Sequence, residues 1–132
     1  MAALDTNVLV RYLVQDDPAQ GETAARLIHG AAHDGAALFV PVTVLLEVEW
    51  VLRSAFGFDK ASVLHTLSRL MGTFELSFQA ESAVEIALAQ YEHGAADFAD
   101  CLHAALAGEA GESPLWTFDK VAAKAAGARL LA

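Results

Sequence analysis

The chain has 132 residues, with 8 Lys and Arg against 17 Asp and Glu, a formal net charge of −9. At 55% hydrophobic it can bury a core without disulfides or a structural metal, and it is too apolar for a disordered chain. The acidic balance argues against passive binding to nucleic acid, yet it leaves room for an enzyme that holds cations among carboxylates.

In chain order, a short apolar run over 2–4 closes at Asp5. It reads as a strand, and the early acid rules out the apolar stretch of a signal peptide. Helical spacing follows over 8–14 and 19–32. A strand over 38–40 closes at Pro41, inside the longest uncharged apolar stretch, 35–46. That stretch falls well short of the roughly 20 residues that cross a bilayer, so no membrane span is expected. Helices over 43–55 and 60–70 come next, then a strand at 74–76, helices over 81–91 and 100–108, and a strand over 115–118 closed by Asp119. A helix over 120–126 and a strand over 129–131 finish the chain. The 28 alanines make helix the default state. Strands alternating with helices define an α/β class with a mostly parallel sheet, and no linker or repeat divides the single domain expected over 1–132. The single cysteine, Cys101, suits a reducing cytoplasm, and its expected role is packing.

The acids fall in telling places. A parallel open sheet puts its ligand site beyond the carboxyl ends of its strands, where Asp5 and Asp119 both lie. Each could equally be a helix cap. On a wheel of about 100° per residue with Val44 at zero, Glu49 and Arg53 fall near 140° and 180°. As an i,i+4 pair they are expected to face solvent. Glu47 falls near 300°, among apolar residues, where a carboxylate is costly without a partner or a metal. Asp97 and Asp100 share a face at a helix start, which capping explains for one acid better than for two. His103 continues that face and is set aside as packed or solvated. Asp5, Glu47, Asp97, Asp100 and Asp119 together would form an all-oxygen site for a hard cation, Mg²⁺ or Mn²⁺. There is no Gly-rich phosphate loop, HExxH or CxxC, and no nucleophile with a base beside it. Phosphodiester hydrolysis by metal-activated water is the simplest chemistry for such a pocket.

Four stretches resemble the motifs of the PIN-domain ribonucleases, and more narrowly the VapC-type toxins. They are LDTNVLVRYL, VPVTVLLEVEWVLRS, DFADCLHAALA and WTFDK, in order over essentially the whole chain. The resemblance matches Asp5, Glu47, Asp100 and Asp119 to the family's catalytic metal ligands and Asp97 to an additional acid. It makes Thr6, Asn7 and Thr117 supporting polar residues. It implies an α/β/α sandwich, commonly a homodimer, that cleaves RNA with Mg²⁺ or Mn²⁺ and is neutralised by a VapB-like antitoxin. Lys120 and Val121 stand where some relatives carry a second acid after the aspartate matched by Asp119. The mean hydropathy of +0.39 and the apolar helix over 8–14 are in keeping with a surface that a partner covers. Arg11 and Lys120 are the basic residues nearest the acidic rim, and they are candidate phosphate contacts. A phosphorelay receiver would need an acidic pair after the first strand, where a lone Asp stands. A haloacid-dehalogenase-like phosphatase would need Asp at position 7, which is Asn. A PIN fold outside a toxin–antitoxin pair, or one kept as an interaction module, remains open on the sequence.

Overall fold

A computed structural model describes residues 2–132. The chain forms two compact units, one ending at Gln79 and the other spanning Ala80–Ala132. The α/β class is as expected, and every strand pairing among the described residues is parallel.

The first unit begins with Ala3 bridged in parallel to Phe39, so residues 2–4 lie beside β1 (Leu38–Val40). β1 in turn pairs with β2 (Leu76–Phe78) in the register Leu38↔Leu76. Helices α1 (Thr6–Val14) and α2 (Pro18–Asp34) connect the first two of these, and α3 (Val42–Ser54) and α4 (Lys60–Met71) connect the next two. Local chemistry sets the helix starts. Asp5, Asp17 and Asp59 each cap a helix through the side chain, and Pro18 follows Asp17 as the first residue of α2. Gly35 ends α2 in the left-handed region at φ 65°. Where α2 nears α1, a Cβ on Gly21 would sit 3.2 Å from the Arg11 carbonyl oxygen, so a side chain there would push the helices apart. Leu9, Ile28, Val40, Leu45, Val48, Leu52, Val63 and Leu67 fill the core of this unit.

In the second unit α5 (Glu81–His93) packs on α6 (Phe98–Glu109) around Val84, Ala87, Phe98 and Leu102. β3 (Leu115–Thr117) pairs with β4 (Ala128–Leu130) across a single 3-10 turn, Ala122–Lys124. Cys101 is buried, in agreement with a packing role.

Helix and strand ends move by one or two residues, with β3 stopping at Thr117 short of Phe118, and two elements change more. The strand expected at 74–76 lies at Leu76–Phe78, because only Leu76 and Phe78 alternate inward, while Phe74 is 84% exposed. The helix expected over 120–126 shrinks to the 3-10 turn. Asp119 caps it at its start, and Gly127 at φ 85° turns the chain into β4. No helix among the described residues is long and apolar enough to cross a membrane.

Candidate functional site

In the first unit, Asp5 lies two residues past the Ala3 bridge, and its Oδ1 accepts from the Thr6 backbone N–H at 2.8 Å. The capping reading of Asp5 is therefore realised, and the exposed carboxylate also faces a pocket of about 440 Å³. Thr6, Asn7, Arg11, Asp16 and Glu47 share that pocket. The Thr6 hydroxyl donates to Glu47 Oε1, tying the start of α1 to the middle of α3. Arg11 is held on the pocket wall by Nε donating to Gln20 Oε1 at 2.8 Å and by an ion pair with Asp16 at 3.3 Å.

The expected burial of the two α3 glutamates is reversed. Glu47 is exposed, and Glu49 is the buried one, at 0%. The face of α3 turned inward carries Leu45, Val48, Glu49 and Leu52. Thr43, Glu47, Trp50 and Ser54 form the outward face. Glu49 does pair with Arg53, as its i,i+4 spacing predicts, with Arg53 Nη2 donating at 3.1 Å. That neutralisation lets the edge of the apolar stripe carry an acid inward, so the pair does not mark the solvent side. Glu47 reaches the pocket because of where α3 lies relative to α1, and there it stands exposed beside Val51 and Phe56 rather than buried among them.

In the second unit, Asp97 is the N-cap of α6, with Oδ1 accepting from the Asp100 backbone N–H at 2.9 Å. Asp100 lies half-buried in the first turn. Asp119 follows β3, and its Oδ1 accepts from the backbone N–H groups of Val121 at 2.8 Å and Ala122 at 3.2 Å. The Thr117 hydroxyl oxygen accepts from the Asp119 N–H at 3.0 Å, which fixes the turn from below. Burial, a side-chain hydrogen bond with Asp97 and the negative charges of Asp97 and Asp119 push the Asp100 carboxyl up to about 6. The charges of Asp97 and Asp119 thus both bear on Asp100.

Among the described residues, no three His, Cys, Asp or Glu side chains are drawn together closely enough to hold a metal. The donor set itself fits a hard divalent cation, being oxygen throughout with Asp100 under like-charge stress. The model of one family, the PIN domain, matches residues 2–128. The chain belongs to the PIN family. PIN domains are typically metal-dependent nucleases, which places this one among hydrolases of nucleic-acid phosphodiesters and makes divalent metal the usual cofactor of its class. No match to a curated protein was found. Sequence reasoning passed over Asp16, which fixes Arg11 beside the pocket. It also passed over the outward aromatic residues next to Asp119. The alternation of Trp116 and Phe118 along the strand expected over 115–118 was the available signal for the latter, although β3 ends at Thr117.

Proposed function

We propose that this PIN domain is an Mg²⁺- or Mn²⁺-dependent ribonuclease and the toxin of a toxin–antitoxin pair, working in the cytoplasm. The observation that carries the nuclease reading is the pocket shared by Asp5 and Glu47, with Thr6 hydrogen-bonded to Glu47. In this reading Asp5, Glu47, Asp100 and Asp119 are the catalytic acids and metal ligands, and Asp97 is a further ligand. A bound divalent cation would offset charge on the phosphate oxygens and make a nearby water more acidic. The chain's own groups hold the acids in place. The Thr6 hydroxyl orients the Glu47 carboxylate, and the Val121 and Ala122 N–H groups anchor Asp119. Arg11, already braced by Gln20 and Asp16, and the exposed Lys120 would take substrate phosphates in this reading. Incubating the pure protein with RNA, with and without Mg²⁺, tests this. Asp5→Asn should abolish cleavage while preserving the fold, and full activity in excess EDTA would overturn the proposal.

The toxin role rests on the motif resemblance and on apolar surface. A groove of about 370 Å³ between α1 and α2 is lined by Val8, Ala19, Ala24 and Leu27 and shares Asn7 and Arg11 with the acidic pocket. A VapB-like antitoxin could lay an amphipathic helix there and present an Arg or Lys to the carboxylates, competing with the cation. The toxin itself would be a homodimer. Sedimentation at tens of micromolar checks the dimer. A strict monomer with no inhibitor encoded beside it would leave a PIN nuclease outside any toxin–antitoxin pair.

A further inference from the structure

The β3–β4 pair exposes the middle residue of each strand to solvent. Trp116 is the exposed middle residue of β3, Phe118 follows the strand directly, and Arg129 is the register partner of Trp116. Trp116 is 53% exposed and Phe118 79%, and both are far larger than the residues a sheet ordinarily leaves wet. The Arg129 guanidinium lies over the Trp116 ring, 5.6 Å from its centroid. The local charge also runs against the rest of the chain. From Leu115 to the end there are three cations, Lys120, Lys124 and Arg129, against Asp119 alone, a net +2 in a chain that carries −9.

From this face we infer a stacking platform for the unpaired bases of single-stranded RNA. Trp116 and Phe118 take the bases, and Arg129 and Lys120 meet the phosphates. Bases stack on exposed aromatic rings whatever their identity, and the adjoining cations supply the attraction that the acidic remainder of the chain lacks. A second copy presenting the same face would set Arg129 against Arg129, a like-charge contact, whereas a phosphate brings the opposite charge. Phe118 immediately precedes Asp119, so a base held there leaves its phosphate beside an acid that the nuclease reading makes catalytic. The inference rests on the nuclease reading for the identity of the ligand, but binding can be measured without cleavage.

The test is binding of a fluorescein-labelled, unstructured 12-nucleotide oligouridylate to the whole chain in EDTA at low salt. Trp116→Ala and Phe118→Ala should each weaken binding about 5- to 100-fold, while Phe118→Tyr stays close to the parent. Ile86→Ala, an exposed apolar residue on α5, should bind as the parent does. The oligonucleotide should also quench tryptophan fluorescence in Trp50→Phe but not in Trp116→Phe, a readout that loss of the fold would not mimic. No binding by the parent chain, or binding by both alanine variants as tight as the parent's, would overturn the platform. So would a change only in sedimentation, which would mark a protein-docking surface instead. RNA binding without Mg²⁺-dependent cleavage would overturn the nuclease reading and leave the platform standing.

Discussion

Arg53 reaches back one helical turn to the buried Glu49, and the two substitutions that break this pair differ in cost. Glu49→Gln leaves Arg53 with its side chain partly in water, so the expected loss is about 1–2 kcal/mol. Arg53→Met leaves a carboxylate in the core without the guanidinium, and the loss should be larger, about 3 kcal/mol or more. Urea unfolding of both variants checks the order, and equal midpoints would contradict it. Glu47→Gln should behave in the opposite way, with little effect on stability because the residue is exposed, and a loss of cleavage because the carboxylate charge is gone. Asp100 has its own pH signature. Its folded pKa of about 6 lies above the ordinary value of 3.8, so the folded state holds the proton more tightly. Its contribution to stability is present below pH 4 and is lost as pH rises through 6. In metal-free buffer, Asp100→Asn should therefore raise stability at pH 7.5 by about 1 kcal/mol, allowing for solvent screening, and leave it unchanged at pH 3.5. Denaturant midpoints at the two pH values decide it.

Helix α6 puts structure and chemistry on the same residue. Asp97 caps it by accepting the Asp100 N–H, and the capping bond needs only an oxygen acceptor, whereas a cation wants the charge. Asp97→Ala should lose about 1 kcal/mol of stability, and Asp97→Ser should recover most of it. If Asp97 is also a ligand, the serine variant will still bind Mn²⁺ more weakly than the parent. Recovery of both properties would leave Asp97 as a cap alone. The β2 strand shows the same separation of local and distant demands. Its residues satisfy β propensity equally well two positions earlier, and the choice of Leu76 and Phe78 as the inward pair comes from the parallel register with Leu38 and Val40.

At the scale of the whole molecule, the acids impose a charge load that a divalent cation would relieve. Mg²⁺ or Mn²⁺ at about tenfold its dissociation constant should raise Tm by roughly 5 °C, through binding to the folded state alone. The rise should vanish in EDTA and in Asp100→Asn. A Tm indifferent to metal would leave the acidic positions without their proposed role. The exposed Trp116 and Phe118 and the groove along α1 belong to this scale too, because the mean hydropathy announces excess apolar surface without saying where it lies.

The sequence by itself determined the α/β class, most element positions and the acids worth testing. Strand ends closed by Asp5 and Asp119, the Asp97–Asp100 spacing and the four motifs are local facts, legible because caps, turns and periodicity depend on neighbours in the chain. Which face of α3 turned inward was not legible. A wheel gives the angles between side chains but no absolute orientation. That orientation came from packing, which buries Leu45, Val48 and Leu52 together and draws Glu49 in with Arg53 as its counter-charge. The tertiary structure alone decided that Glu47, exposed and with no partner within its own helix to announce it, meets Thr6 from 41 residues away. Contacts at such separations are set by how elements pack, and no local spacing encodes them.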